Sequence, residues 1–260
     1  MIEQLEERLK NLGKVAIAYS GGIDSTFLLT VANKVLPKEN VLAIIANGAM
    51  VPRKDYGEAI GFLKENGFNY KEVQYKPLEI VEFKNNQKDR CYYCKKNLMQ
   101  TIRNEALKNG FSNVLDGKNA DDLKVYRPGN KATEELRIIS PLAELDIDKA
   151  TIRNEAKELG IKLWNKPSNS CLATRFPYNT VLTEEELSKV DQSESLIKAI
   201  GIDRVRVRAH GEMARIEVER KEFATILENV EVANKIRELG FEYVTLDLRG
   251  IRSGGFMLYL

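Results

Sequence analysis

The sequence predicts an α/β protein in which a parallel sheet covered by helices fills the first two-thirds and a smaller α+β domain follows. Two observations support this prediction. Short apolar runs alternate with segments of helical period in the first two-thirds of the chain, which is typical of a parallel sheet. Towards the C-terminus the order changes to helix, two strands, helices and strand. We therefore predict one domain over residues 1–178 and a second over residues 179–260.

The elements of the first domain begin with three predicted strands. VAIAYS (15–20) predicts a buried strand that leads through a glycine-rich turn into a helix ending before Pro37. VLAIIA (41–46) and YKEVQY (70–75) predict the next two strands, and the helix between them ends at Gly67. The first two runs are continuously apolar, as expected of strands that helices cover on both faces.

The second half of this domain starts with a helix predicted from the cysteine pair to Gly110. NVLDG (113–117) predicts the fourth strand and RIISPL (137–142) a short fifth strand. IDKATIRNEAKELG (147–160) predicts a helix that a glycine ends. Residues 163–177 contain prolines and lack any periodicity, so we predict a functional loop there, at the domain boundary.

The small domain is predicted from a helix cap and a hairpin. Thr183 followed by Glu186 is a capping-box pattern, which predicts the start of a helix. VRVRAHG (205–211) and MARIEVE (213–219) predict a β-hairpin. Helical segments between about residue 222 and residue 239 and a last strand, YVTLDL (243–248), complete the predicted order.

The composition and the N-terminus limit the classes of function. The chain has 40 basic and 38 acidic residues, so its net charge of +2 gives no overall field for a polyanion, and nucleic-acid binding is not expected. The N-terminal segment has a helical apolar stripe but not the basic start and apolar run of a signal peptide. No apolar run approaches the length that a membrane span needs. We expect a cytoplasmic protein with reduced thiols.

The turn between the first strand and the first following helix has the chemistry of a phosphate site. In AYSGGIDST, Gly21 and Gly22 let backbone N–H groups approach an anion, and Ser20 and Ser25 add hydroxyl donors. The carboxylate of Asp24 fits beside a phosphate if Mg²⁺ lies between them. No lysine follows the glycines, so the loop is not a Walker A motif, and GxGxxG does not match either. An ordinary strand–helix turn is the alternative.

Residues 20–25, SGGIDS, match in full the SGGxDS fingerprint of the PP-loop ATP pyrophosphatase superfamily, which the sequence resembles. The resemblance implies a Rossmann-like fold of the adenine nucleotide alpha hydrolase type. It also implies cleavage of ATP between its α and β phosphates and adenylation of a substrate oxygen. Adenylation turns a poor leaving group into a good one, which an amine, an amide nitrogen or sulfur then displaces.

The three cysteines, Cys91, Cys94 and Cys171, allow several interpretations. They could be buried structural thiols, since free cysteine packs as a small hydrophobe. A zinc site would need His210, the only histidine, as its fourth ligand. A redox pair at CxxC would leave the third thiol without a role. A 4Fe–4S cluster held by three thiolates, with one iron open, uses all three cysteines and is the interpretation that we favour.

Longer segments resemble LarE-type ATP-dependent sulfur transferases. These segments, which together with the SGGIDS loop span residues 15–180, are DRCYYCKKNL, DGKNADDLKVYRPG, SPLAELDIDKATIR and KPSNSCLATRFPY. The hairpin and GIRSGG extend the resemblance more weakly. In one type of this family a single cysteine gives up its own sulfur, and in the other a CxxC pair joins that cysteine to hold a cluster that carries sulfide. The resemblance therefore implies the second type here, with Cys171 catalytic. The sequence departs from the family at Asn169–Ser170, where a proline is common before the cysteine.

The resemblance implies a pyridinium dicarboxylate mononucleotide as substrate, which becomes a thiocarboxylate through an acyl-adenylate in the biosynthesis of a nickel-pincer cofactor. Such a substrate needs cationic contacts. The candidates are Arg206 and Arg208 on one strand face, Arg215 on the facing strand, and Arg175 near the third cysteine. Arginines that are merely solvated on an exposed hairpin are the alternative.

Acidic residues follow the fourth strand, at the end of the sheet where open α/β folds bind ligands. We assign Asp121, together with Asp122 and Arg127, to the ATP site or the substrate. Paired acids in a loop are otherwise turn formers. Tyr126 and Trp164 fit packing and site roles equally well.

The sequence thus predicts an enzyme, an ATP-dependent sulfur transferase that uses ATP, Mg²⁺ and a 4Fe–4S cluster. We expect a homo-oligomer that hands its product to a downstream cofactor-biosynthesis protein. The alternatives are a thiolase acting on tRNA or another nucleotide, an amidating PP-loop ligase, and a sensor that binds ATP or a cluster without catalysis.

Overall fold

The computed structural model describes residues 2–124, 128–167 and 169–252, and these divide into two compact units. The first unit consists of Met1–Gly48, Asp55–Lys76 and Asp89–Asn169. The second consists of Ala49–Lys54, Pro77–Lys88 and Ser170–Leu260. The predicted boundary after residue 178 differs from this division, because the Cys171 segment and two short pieces of the N-terminal half belong to the second unit. Within the described ranges no helix is long and apolar enough to cross a membrane.

The first unit contains a parallel sheet with the strand order β3-β2-β1-β4. Its strands are β1 (Val15–Tyr19), β2 (Val41–Asn47), β3 (Tyr70–Gln74) and β4 (Asn113–Leu115). All three neighbouring pairs are parallel, and Val15 lies opposite both Val41 and Asn113. The predicted α/β fold with a parallel sheet is confirmed, and all five residues of β1 are buried, which explains the continuous apolar run.

The helices follow in chain order. They are α1 (Ile2–Leu12), α2 (Ile23–Val35), α3 (Arg53–Glu65), α4 (Val81–Lys84), α5 (Arg90–Lys108), α6 (Ala120–Leu123), α7 (Pro128–Glu135), α8 (Pro141–Glu144), α9 (Lys149–Glu158), α10 (Glu184–Ala199), α11 (Phe223–Glu228) and α12 (Val230–Glu238).

Alternate residues of β1 enter two apolar clusters, because successive side chains of a strand point to opposite faces. Val15 and Ile17 pack in the cluster that contains Leu9 of α1 and Phe27 of α2. On the other face, Ala16 packs in a cluster with residues of α5. β1 is an interior strand, and the loop that follows it lies where the carboxyl ends of the parallel strands meet, the edge at which open α/β sheets bind ligands.

The predicted fifth strand at 137–142 is wrong. Only Ile139 pairs with the sheet, through an isolated parallel bridge to Leu115. Arg137 has a φ of 52°, which extended backbone does not adopt, and Pro141 already begins α8. The apolar pattern identified a buried segment correctly, but these two residues limit its pairing to a single position.

The second unit contains a three-stranded sheet in the order β5-β6-β7. Its strands are β5 (Val205–His210), β6 (Met213–Val218) and β7 (Tyr243–Leu246). The pair β5–β6 is antiparallel and β6–β7 is parallel. The Thr183 hydroxyl caps α10 by accepting a hydrogen bond from the Glu186 N–H at 3.1 Å. The predicted cap, hairpin and last strand are therefore confirmed.

Candidate functional site

Hydrogen bonds of two serines fix the conformation of the glycine-rich loop between β1 and α2. The hydroxyl oxygens of Ser20 and Ser25 lie 3.1 Å apart, and the Ser20 N–H donates to the Ser25 hydroxyl at 3.2 Å. The Ser25 hydroxyl also lies 3.1 Å from the Gly22 carbonyl, to which it can donate. Gly22 is the N-cap of α2 and has no side chain to cap the helix. The positive end of α2 therefore faces a loop of backbone and hydroxyl donors, the arrangement that binds phosphate.

Two glycines make this loop possible. Gly21 has a φ of +72°, and a Cβ placed there would lie 2.5 Å from the Cβ of Ala59 in α3. Gly117, after β4, is a glycine that the sequence reasoning did not single out. A Cβ on Gly117 would lie 2.8 Å from the Ser25 nitrogen. Both positions exclude any side chain, since one is left-handed and both are in contact with neighbouring atoms.

The carboxylate of Asp24 is bound by two side chains from later in the chain. Lys149 at the start of α9 places its Nζ 2.5 Å from one oxygen of Asp24. The Asn119 side-chain amide donates to the other oxygen at 3.3 Å. The Lys149 N–H donates to a carboxylate oxygen of Asp121 at 3.1 Å. The structure thus gathers the predicted residues Asp24 and Asp121 around one lysine.

Asp121 and Asp122 have different roles. Hydrogen bonds from the Lys124 side chain and the Lys149 N–H lower the pKa of Asp121, so its carboxylate is charged at neutral pH. Asp122 instead completes a capping box with Asn119 at the start of α6. For Asp122 the turn-forming alternative is therefore correct. Arg127 and Tyr126 lie outside the described residues, as do the last positions of GIRSGG.

The donors at this edge of the sheet fit Mg²⁺. Magnesium prefers oxygen ligands and is usually held by one or two carboxylates together with substrate phosphates. Asp24 supplies a carboxylate on the first turn of α2, and Asp121 supplies a second one that contacts the same lysine. Sequence reasoning missed Lys149 and Asn119 here. Asn119 opens an N-x-x-D capping pattern that could have been found, whereas nothing around Lys149 indicates more than a helix start.

Cys91 and Cys94 lie on the first turn of α5, in the first unit. Their spacing of three residues puts both side chains on one helix face. Cys91 is exposed and Cys94 is half-buried. The Tyr75 hydroxyl donates to the Cys94 carbonyl at 2.8 Å and lies 3.4 Å from its Sγ. Burial raises the pKa of the Cys94 thiol, and the hydrogen bond from Tyr75 opposes this.

Cys171 belongs to the second unit, where it begins a 3-10 turn over Leu172–Arg175 and is half-buried. All three cysteines are free thiols, and none is fully buried, so the interpretation as three buried structural thiols does not hold. Thiolates are the ligands of iron–sulfur clusters, so the donor type fits a cluster. Within each unit, the described residues form no group of three His, Cys, Asp or Glu side chains that could hold a metal ion.

The zinc interpretation fits the structure poorly. His210 ends β5, and burial together with the nearby guanidinium groups of Arg215 and Arg208 lowers its pKa. Positive neighbours that disfavour protonation of the imidazole also disfavour a divalent cation beside it.

Arg175 is the last residue of the Cys171 turn, and its side chain has no exposed surface. Its Nε and Nη2 donate to the carboxylate of Glu194 at 2.7 and 3.1 Å. Its Nη1 lies within hydrogen-bond distance of the Ser170 hydroxyl, at 2.7 Å, and of the Ser170 carbonyl, at 3.1 Å. A guanidinium buried in this way cannot contact a ligand, so the substrate role predicted for Arg175 is corrected to one of positioning the turn.

The hairpin arginines are not simply solvated. Arg208 is buried, and its Nε and Nη2 donate to the Glu217 carboxylate at 3.1 and 3.0 Å. Arg215 lies directly opposite Arg208 and donates to the other oxygen of Glu217 at 2.9 Å. Arg208 also donates to the Thr174 carbonyl of the Cys171 turn at 2.6 Å. These two arginines therefore have carboxylate partners.

Arg206 differs from them because it lies among other cations. Burial lowers its pKa to about 10, and the neighbouring guanidinium groups of Arg175 and Arg208 add to this shift, although Glu194 opposes it. A half-buried guanidinium in a positive field favours an incoming anion. Among the predicted arginines, Arg206 has the electrostatics of a phosphate contact.

Trp164 is a packing residue. It is partly buried against the core cluster on the α1 face of the sheet, and the Lys157 ammonium lies 5.3 Å from its ring centroid.

The sequence is similar to a known family and to several known proteins. Residues 2–116 match a family model described as NAD synthase. A pyridinium-3,5-bisthiocarboxylic acid mononucleotide synthase from Lactiplantibacillus plantarum is 39% identical over 95% of this chain and 90% of its own length. An uncharacterized protein from Synechocystis sp. is 37% identical over 97% of this chain and 95% of its own length. One from Methanocaldococcus jannaschii is 34% identical, and the match covers 96% of this chain and 94% of that protein.

Proposed function

Because the chain belongs to the family of pyridinium-3,5-bisthiocarboxylic acid mononucleotide synthases, we propose that it is an ATP-dependent sulfur transferase. It adenylates a carboxylate of a pyridinium dicarboxylate mononucleotide and converts it into a thiocarboxylate. The observation that carries the proposal is the identity of 39% over 95% of the chain, which includes both the phosphate-binding loop and the Cys171 segment within nearly full-length similarity. The product serves the biosynthesis of a nickel-pincer cofactor.

The first step takes place at the loop between β1 and α2. Backbone N–H groups and the hydroxyls of Ser20 and Ser25 bind the phosphates, and Gly21 and Gly22 let the phosphates approach the backbone. Asp24 and Asp121 are the residues that would hold Mg²⁺, which would neutralise negative charge on the phosphates. The substrate carboxylate oxygen attacks the α-phosphorus, the α–β bridging bond breaks, and pyrophosphate leaves. The product of this step is an acyl-adenylate.

The second step needs a sulfur nucleophile. A sulfur atom attacks the acyl carbon, the bond to the adenylate oxygen breaks, and AMP leaves with the electron pair. A 4Fe–4S cluster held by Cys91, Cys94 and Cys171 would supply sulfide for this step. The Cys94 thiol must lose its proton to become a ligand. Burial raises its pKa and opposes this, and the Tyr75 hydroxyl near its Sγ partly offsets the effect of burial.

Arg206 binds the phosphate or second carboxylate of the mononucleotide. Burial and the nearby guanidinium groups of Arg175 and Arg208 disfavour the charge of its half-buried guanidinium, so a bound anion would compensate it. Arg208 and Arg215 hold the hairpin face through Glu217. We also propose that the protein forms a homo-oligomer and hands its product to a downstream cofactor-biosynthesis protein.

The deciding experiment measures iron and acid-labile sulfide on protein purified without oxygen, in the wild type and in Cys171→Ala. About four irons per chain in the wild type and loss of iron in the variant are expected of a three-thiolate cluster. Absence of iron, with loss of sulfur from Cys171 after ATP and substrate are added, would make this cysteine a sacrificial donor instead.

An amidating ligase is the second candidate, because the family model that matches residues 2–116 is described as NAD synthase. The two activities differ in their nucleophile. Pyrophosphate release that depends on the mononucleotide would show the adenylation step that both activities share. Mass spectrometry of the product then distinguishes the two activities. Oxygen replaced by sulfur supports the sulfur transferase, and a primary amide formed from ammonium supports the ligase.

A further inference from the structure

The phosphate-binding loop lacks a lysine of its own, but the fold brings one to it from a distant helix. The loop sequence SGGIDS has no basic residue, in contrast to a Walker A loop, whose lysine reaches the phosphates. Lys149, at the first position of α9, ion-pairs with Asp24 on the first turn of α2 at 2.5 Å. This ammonium therefore lies at the helix end where the phosphates of ATP are expected.

The backbone of Lys149 is fixed while its side chain has room to move. Its N–H donates to Asp121 at 3.1 Å, and Asp148 caps the same helix by accepting from the Thr151 N–H at 2.8 Å. The Lys149 side chain is 26% exposed and that of Asp24 is 19% exposed, so the pair lies at a partly solvated edge. A lysine ammonium has three donors on a flexible stem and can bind a carboxylate and a phosphate in turn.

A metal ion bound to Asp24 would compete with the partners that this carboxylate has in the structure. Both of its oxygens are engaged, one by Lys149 and the other by Asn119. Mg²⁺ requires a carboxylate oxygen at short distance and in strict geometry. A dication on Asp24 would also repel the ammonium from its present position. A phosphate chain bound at the same loop would offer the displaced ammonium a new anionic partner.

We propose that Lys149 is a phosphate-binding residue of the ATP site, which exchanges Asp24 for the β and γ phosphates when Mg²⁺–ATP binds. The proposal rests on the ATP chemistry of the proposed function. Lys149 thereby takes the role of the missing loop lysine and neutralises the pyrophosphate as it leaves. The exchange also gives a reason for the ion pair with Asp24: the ammonium orients the carboxylate and makes Mg²⁺ bind together with the nucleotide rather than alone.

The test compares Lys149→Met with Lys157→Met, a matched change at the other end of α9. Isothermal titration calorimetry measures the binding of Mg²⁺–pyrophosphate, of AMP and of Mg²⁺ alone. For Lys149→Met we expect pyrophosphate affinity to fall about ten- to a hundredfold, the usual effect of losing a charged hydrogen bond. AMP affinity should stay unchanged, and Mg²⁺ alone should bind more tightly because Asp24 loses its counter-ion. Lys157→Met should resemble the wild type in all three.

Each alternative result has a definite meaning. Unchanged pyrophosphate affinity in Lys149→Met would overturn the proposal and leave Lys149 as a counter-ion of Asp24 only. An equal loss of AMP and pyrophosphate affinity would overturn it too, since that pattern indicates distortion of the whole site. If the methionine variant does not fold, Lys149→Arg and Lys149→Gln replace it, and arginine alone should retain pyrophosphate binding. A wild type that binds no Mg²⁺–ATP would refute the proposed function itself, whereas normal wild-type binding with an unaffected variant refutes only the role of Lys149.

Discussion

Arg175 and Glu194 form a buried, two-bond ion pair beneath the turn that carries Cys171, with nitrogen–oxygen distances of 2.7 and 3.1 Å. The same carboxylate accepts a hydrogen bond from the Val207 N–H at 3.0 Å. The pair thus joins α10, β5 and the Cys171 turn within the second unit. A charge buried this completely is tolerated only while its partner is present.

We expect Arg175→Met to destabilise the protein strongly, because the Glu194 charge would remain buried without its partner. The loss should be about 3–5 kcal/mol in the free energy of unfolding, measured by urea denaturation. Arg175→Met combined with Glu194→Gln should be less destabilised, since the glutamine oxygen can still accept from Val207. Alkylation of Cys171 should be faster in the single variant than in the wild type. Equal stability of the single and double variants would contradict this account.

Gly21→Ala should damage both stability and nucleotide binding. An alanine there would take a left-handed φ of +72° and place its Cβ 2.5 Å from that of Ala59. We expect a loss of about 1–3 kcal/mol in the free energy of unfolding and weaker binding of a non-hydrolysable ATP analogue. Gly57→Ala in α3 is the control, because an added Cβ meets nothing within 4 Å. That change should stabilise the helix by about 0.5–1 kcal/mol. Wild-type nucleotide affinity in Gly21→Ala would refute the assigned role of the loop.

Asp191 should make stability depend on pH. Its carboxylate is buried and accepts a hydrogen bond from the Arg53 N–H at 2.9 Å. Burial raises the pKa of Asp191, and the nearby Glu194 adds to this. The folded protein therefore keeps the Asp191 proton to a higher pH than the unfolded chain does. The contribution of protonated Asp191 to the free energy of unfolding is full below the pKa of the unfolded chain, and it is lost as the pH rises through the pKa in the folded protein.

Asp191→Asn imitates the protonated form and keeps an oxygen for the Arg53 N–H. The variant should be more stable than the wild type at neutral pH, and the difference should shrink as the pH falls. Urea denaturation between about pH 5 and about pH 7.5 measures the stability difference between the variant and the wild type and its dependence on pH. A variant that is less stable at neutral pH would show that the Asp191 charge is favourable in the folded state.

Arg206→Met should weaken binding of the mononucleotide substrate without affecting ATP. The half-buried guanidinium has neighbours of the same charge, so an anionic substrate gains most from it. We expect KM for the mononucleotide to rise about ten- to a hundredfold. Arg204→Met is the matched control, since Arg204 is 51% exposed and pairs with Glu219 at 3.1 Å. An unchanged KM in Arg206→Met would exclude the substrate contact.

The sequence allowed the parallel sheet to be predicted because its first strands are buried on both faces. Val15–Tyr19 is apolar throughout, and such a run has few other interpretations beside a glycine-rich turn. The prediction of a fifth strand was wrong because the apolar pattern in RIISPL carries no information on backbone angles, such as the positive φ of Arg137. The apolar pattern thus identified buried residues in both segments. Whether a segment pairs with the sheet depended on Arg137 and Pro141, which are not part of that pattern.

The phosphate-binding loop was predictable from its sequence, whereas its charged partners were not. Ser20–Ser25 are consecutive and carry their chemistry in one motif. Lys149 reaches Asp24 from 125 residues away, which only the fold determines. Arg175 was assigned to the substrate because arginine near a reactive cysteine is chemically reasonable. Its complete burial against Glu194 depends on the packing of α10, which sequence spacing does not reveal.

The polypeptide passes repeatedly between the two units, since Ala49–Lys54 and Pro77–Lys88 belong to the second unit although they lie within the N-terminal half. Backbone hydrogen bonds join these segments to the later chain, from the Leu172 N–H to the Met50 carbonyl and from the Leu182 N–H to the Lys84 carbonyl. A gene fragment that starts after Asn169 would therefore encode the second unit without these two segments. Because the second unit is built from three separate segments, a single recombination event after Asn169 could not transfer all of it to another protein.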